Sequence, residues 1–221
     1  MTTAAVRSQA MPSRIRALPR DHLGRPIPWF VADLDDGRRD FRIADPDRRA
    51  RALRDGLCWV CGQRLPRSQV FIIGPMCTIN RITAEPPNHN ECAEYSSTVC
   101  PFILRPQMTR RTSGLPDNLT PLPGNHVEGN PGGMVLWTTG QWSTFRPRFG
   151  MPGGVLVNIG EPTRVRWCTE GRPATRAEAA KLLIAGYARL QEEAGLDPHP
   201  PSALEALGRQ YARARALLPP T

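Results

Sequence analysis

The sequence predicts an α+β fold in which a cysteine-rich module is flanked by β-hairpins and followed by C-terminal helices. Three observations predict it. Five of the six cysteines fall between Cys58 and Cys100. Short apolar runs on either side of them are punctuated by Gly, Pro and Asp, as hairpins are. Residues 175–218 carry two helical patterns, each opened by a capping sequence. The chain of 221 residues is long enough for a sizeable core. At 40% hydrophobic and 22% charged residues its composition is that of a folded protein. No apolar run approaches the ~18 residues of a membrane span.

Residues 1–20 are free of acids and carry Arg7, Arg14, Arg16 and Arg20, interrupted by Pro12 and Pro19. A flexible basic tail is the expectation there, since no continuous apolar stretch resembles a secretion signal. Pro28–Leu34 reads as a strand, Asp35-Asp36-Gly37 as its turn and Asp40–Ile43 as the returning strand. Asp45 caps a helix with Pro46 at its first position, running to about Asp55 and stopping at Gly56, which closes an N-terminal unit over 21–57. Within the module at 58–104, Gln69–Ile73 and Met76–Ile82 read as a hairpin joined through Gly74-Pro75. Pro86-Pro87-Asn88 then forbids helix and supplies a cap for one that starts near His89 and ends before Pro101. A polar connecting segment follows over 105–123.

The span 124–196 is expected to hold a small sheet and a helix. Met134–Thr138 with Ser143–Arg146 suggests one hairpin around Gly140. Gly154–Ile159 with Arg164–Thr169 suggests another, turning at Gly160-Glu161-Pro162. Thr175-Arg176-Ala177-Glu178 is a capping box. Ser202-Ala203-Leu204-Glu205 repeats the pattern before a last helix over 202–218. Trp29, Trp59, Trp137, Trp142 and Trp167 are assigned to packing.

The chemistry lies in the module. Cys58-Trp59-Val60-Cys61-Gly62 places two thiolates in one tight turn, with glycine where a positive φ is wanted. His89 and Cys92 sit three apart at a helix start, on one face of its first turn, where the helix dipole favours a thiolate. A turn pair, a hairpin and a helix-borne pair make the layout of a treble-clef zinc module. Its ligands would be Cys58, Cys61, His89 and Cys92, with Cys77 and Cys100 as alternates. An iron–sulfur cluster is the rival cofactor, since Cys100-Pro101 is the ending of some cluster-binding runs. Clustered cysteines with no secretion signal point to metal in a reducing cytoplasm rather than to disulfides.

The net charge of +9 raises the question of a DNA or RNA partner. Lys181 is the single lysine among 29 basic residues, and the charge is spread along the chain rather than blocked. Residues 58–104 balance to zero, from Arg64, Arg67 and Arg81 against Glu85, Glu91 and Glu94. Phosphate contacts would therefore come from flanking arginines such as Arg105, Arg110 and Arg111.

Leu57–Leu104 contains Cys-Trp-Val-Cys-Gly, Gly-Pro-Met-Cys-Thr-Ile-Asn-Arg at 74–81, Glu-Pro-Pro-Asn-His at 85–89, Cys92-Ala93 and Cys100-Pro101-Phe102. With Gly24–Val31 upstream and Gly171–Glu178 downstream, this wording resembles a family of cysteine-rich proteins from bacteria and their phages. The resemblance spans most of residues 20–190. It implies a metal site and brings no activity with it. Walker loops, the dinucleotide glycine fingerprint, His-Glu-x-x-His and the nucleophile elbow are absent from the sequence. His126-Val127-Glu128 is half of a deaminase signature without its Pro-Cys-x-x-Cys. The expected function is thus a zinc-stabilised binding or regulatory protein associated with nucleic acid. The alternative is a His-Asn-His nuclease using Asn80, Arg81, Glu85, His89 and Asn90, and the third reading is an iron–sulfur protein.

Overall fold

The computed structural model describes residues 10–105, 108–109, 113–115, 130–147 and 154–220. Its centre is a sheet built around two continuous apolar runs, Val70–Ile73 and Met134–Trp137. Gln69–Ile73 (β3) pairs antiparallel with Met134–Thr139 (β5), which pairs in turn with Arg164–Thr169 (β8) and through it with Arg172–Pro173 (β9). The apolar runs are continuous because both faces are covered. Phe71, Ile73, Val135 and Trp137 point to one side and meet Ile79, Leu183, Leu190 and Leu207. Val70 and Leu136 point to the other and meet Ala93. Arg176–Gly195 (α6) and Pro200–Arg215 (α7) pack on each other and on Pro75–Asn80 (α3) over the first face. Asn90–Val99 (α4) lies on the second face, against β3 and β5. The α+β class, with sheets and C-terminal helices, is therefore as expected.

Several local expectations hold. Val31–Asp33 (β1) and Arg39–Ala44 (β2) form the N-terminal hairpin. Pro46–Asp55 (α2) is capped by Asp45, whose carboxylate accepts from the N–H groups of Asp47 and Arg48, and ends at Gly56 with φ 65°. Thr175 and Glu178 form a reciprocal capping box at the start of α6. Arg172 also grips Glu178, and that contact, with the Thr175 N–H behind it, holds the carboxyl down at about 2. The folded value lies below the ordinary ~4.3 of a glutamate. This contribution is therefore complete above about pH 5 and is lost as the pH falls towards 2. Glu178→Gln is expected to flatten the acid limb of a melting-temperature against pH curve, and Thr175→Ala to cost about 1 kcal/mol.

Other expectations are corrected. Met76–Ile82 is not the second strand of a hairpin: Pro75 starts α3, whose Thr78 hydroxyl donates back to Gly74 O, and Arg81 ends it. Only Ile82–Thr83 (β4) is extended, and β3 finds its partner in β5. The two hairpins expected over 134–169 are one bent ribbon. Trp142–Phe145 (β6) pairs with Leu156–Ile159 (β7), while β5 pairs with β8. The register shifts by one residue between the two halves. The sheets β3-β5-β8-β9 and β4-β7-β6 are thus joined at a corner. There the Gly160 N–H donates to Gln141 O at 2.8 Å, and a Cβ on Gly160 would stand 2.6 Å from that oxygen. Thr139 Oγ1 clamps the corner by donating to Glu161 O. Glycine marks a bend in a long strand as well as a turn between short ones, and here it does the first. The last helix starts at Pro200, with His199 at the cap and Ser202 inside its first turn.

Residues 10–20 depart from a flexible tail. Ser13–Arg16 (α1) is one helical turn whose Ile15 is buried among Cys58, Val60, Cys61 and Cys92.

Candidate metal centre

Two backbone features bring four side chains to one point. The first is the turn at 57–64. Leu57 and Arg64 bridge, the Cys58 N–H donates to Gln63 O, and the Gly62 N–H donates to Cys58 O. Gly62 has φ 72°, and a Cβ there would strike the Trp29 indole at 2.6 Å. Glycine is required on both counts. The turn presents Cys58 and Cys61 on one side. The second feature is the start of α4, where His89 occupies the cap position and Cys92 the third helical position. The cap is His89 rather than Asn88.

Asn88 ties the two features together. Its backbone pairs with Val70 on β3. Its Oδ1 accepts from the Val60 N–H at 3.2 Å, and its Nδ2 donates to Val70 O. The Trp59 N–H donates to Pro87 O, and the His89 N–H donates to Cys58 Sγ at 3.4 Å. The turn is thereby fastened both to the central sheet and to the helix start.

The ligand atoms of Cys58, Cys61, His89 and Cys92 all lie within 4.8 Å of one another, and all four residues are buried. Ligands at the corners of a tetrahedron with 2.3 Å Zn–S bonds stand ~3.8 Å apart, so these four are close enough to hold a metal ion. The histidine is oriented for it. Nε2 lies 3.0 Å from Arg64 O, which makes it the N–H donor and leaves the Nδ1 lone pair facing the sulfurs, 3.4 Å from Cys61 Sγ. The Cys58 thiol is driven well below its ordinary range because the thiols of Cys61 and then Cys92 donate to it. Cys61 and Cys92 are raised by the same sharing with Cys58, and His89 is raised chiefly by the Cys58 thiolate. A cation bound there would take the place of those shared protons.

The alternates lie elsewhere. Cys77 sits on α3 against the main core, where burial pushes its thiol up to about 12. Cys100 caps the short helix Pro101–Leu104 (α5). Neither belongs to the cluster. His89 is 3% exposed with both ring nitrogens engaged, which is not the posture of a base facing substrate. Asn80 Oδ1 accepts from the Ile82 N–H, and Arg81 is paired with Glu161. Arg105 is exposed at the end of α5. Arg110 and Arg111, like His126 and Glu128, lie outside the described residues.

No protein-family model, curated protein or solved structure matches the chain. No helix among the described residues is long and apolar enough to cross a membrane.

The residues missed by sequence reasoning are those on and beside α1. Met11, Ile15 and Leu18 follow the i, i+4, i+7 spacing of a helix face, and all three pack on the cysteine cluster. Pro12 and Pro19 bracket that turn rather than break it. Arg14 hydrogen-bonds Glu91 at 2.9 Å and also Gln63, which holds its guanidinium near Cys61 and Cys92. Ile15→Ala is expected to cost about 2–5 kcal/mol in urea unfolding. A change within ~0.5 kcal/mol, the range of surface substitutions, would show that α1 does not seal the site.

Proposed function

We propose that the protein is a zinc-stabilised binding protein of the cytoplasm whose partner is nucleic acid. The observation that carries the metal reading is the ligand set: three buried thiols and one imidazole oriented by Arg64 O, all within 4.8 Å of one another and as many as a closed four-coordinate site needs. Structural zinc sites are closed in this way, whereas catalytic ones keep a position for water. Three cysteines and a single histidine fall short of the four thiolates of the common iron–sulfur clusters. The ligand pairs come from a tight turn and a helix start, as in a treble clef, with α3 standing in the segment where the hairpin would lie.

Three thiolates and a neutral imidazole around Zn²⁺ carry a net charge of −1, and Arg14 lies beside them to offset it. The module's role is then to brace the fold, and nucleic-acid contacts fall to arginines outside it. The net charge of +9 supports that partner. Fluorescence anisotropy with labelled 20-mers of DNA and RNA tests it. Binding is expected at ~50 mM salt and should weaken steeply by ~200 mM. The combined variant Arg105→Ala, Arg110→Ala, Arg111→Ala should reduce the salt slope by about one for each phosphate that is no longer neutralised. No binding at ~50 mM salt would remove nucleic acid as the partner.

A further inference from the structure

A second site lies where the ribbon corner meets the C-terminal helices. A cavity of about 400 Å³ opens between the end of α3, the 158–161 corner and α7. That volume is in the range of small-molecule sites. Its polar lining comprises Arg81, Glu161 and Arg213 together with the amides of Asn80, Asn158 and Gln210.

Arg81 is held in a conformation that side chains avoid. It ends α3 with φ 59°, a position usually given to glycine or asparagine. Its carbonyl accepts from the Ile159 N–H, and its guanidinium lies over the Trp137 ring at 5.5 Å. The Arg81 side chain is 20% exposed and fixed, whereas that of Glu161, which it grips through both terminal nitrogens, is 73% exposed. The fork is therefore rigid and its present occupant is free to swing into solvent. The Arg213 side chain, also at the cavity, makes no hydrogen bond or ion pair among the described residues, though its charge acts on Glu161.

We propose that this cavity binds a phosphate monoester such as a nucleoside monophosphate, with Arg81 and Arg213 holding the phosphate and Glu161 as the tethered carboxylate it displaces. Charge selects this class. A carboxylate ligand would replace Glu161 one for one and leave Arg213 as it stands. A phosphate monoester carries ~−1.5 to −2 at neutral pH, matches two guanidiniums and fits the Arg81 fork in the bidentate manner Glu161 now uses. The three amides supply donors and acceptors for the rest of the ligand. This reading does not depend on the nucleic-acid partner proposed above, nor on the metal centre.

Calorimetric titration of the purified full chain with AMP tests it. A tethered competitor acts at an effective concentration in the mM range, so Glu161→Gln should tighten AMP binding about tenfold. Arg213→Ala should weaken it at least ~5-fold. Adenosine should not bind, and an oligothymidylate without a terminal phosphate should not displace AMP. Absence of AMP binding in both the native chain and Glu161→Gln would overturn the proposal. So would unchanged affinity in either variant, or equal binding of adenosine. Displacement of AMP by the diester oligonucleotide at equal strength would overturn the assignment to a monoester. Failure of nucleic-acid binding in the anisotropy experiment would leave AMP binding intact.

Discussion

Cys92→Ser is expected to abolish metal retention and to lower the melting temperature by more than ~10 °C. The sulfur of Cys92 is one of three that converge with His89 Nδ1, and it projects from the first turn of a helix packed on the central sheet. A serine oxygen is a poor ligand for a soft thiolate site, and a structural zinc site contributes folding free energy outright. Its loss frees the 57–64 turn from α4 and exposes Ile15, Val60 and Tyr95, which pack on the cysteines. At this chain length each kcal/mol lost moves the melting point by about 2–4 °C, so a deficit of several kcal/mol gives the stated shift. His89→Ala should behave alike, whereas His89→Cys should keep the metal through a fourth thiolate. Metal content and melting curves of the three variants check this. A Cys92→Ser protein that keeps both would contradict it.

The second large effect is expected at Trp137. Its side chain is fully buried in the main core, its Nε1 donates to Gly160 O at 3.0 Å, and Arg81 lies on its ring. Trp137→Ala removes the largest buried side chain of β5 and leaves the Gly160 carbonyl without its indole donor at the corner that joins the two sheets. The cost is expected at about 3–5 kcal/mol by urea unfolding, the range for large aromatic truncations in cores. Trp167→Ala serves as comparison, since it also removes an indole bond, to Leu217 O, but at the end of the helical layer rather than at the corner. If Trp137→Ala cost under ~1 kcal/mol, well below that range, the corner would not be anchored through its indole.

The site was legible in the sequence because its ligands announce themselves locally. Cys58 and Cys61 share one turn, His89 and Cys92 share one helix start, and no other arrangement uses all four so economically. The elements with local punctuation were legible too: Asp45-Pro46 and Gly56 around α2, and Thr175 with Glu178 at α6. What was not legible was pairing. Each strand of the 134–169 ribbon was visible, yet whether Gly140 turns the chain or bends it depends on what lies across from it, here Gly160 and Glu161. The helix α3 was hidden because Met-Cys-Thr-Ile has strand-like composition, and Pro75 acts as a helix start only in the context of β3 ending before it. Asn88 read as a helix cap. Its actual bonds, to Val60 and Val70, span distances in sequence that no local pattern carries.

X-ray absorption at the zinc edge of the purified native protein tests the central claim most directly. The predicted spectrum has about three sulfurs at ~2.3 Å and one nitrogen at ~2.0 Å, with one zinc per chain and no second metal in the scattering. A protein without zinc, or one whose metal is iron with neighbouring iron scatterers, would contradict it.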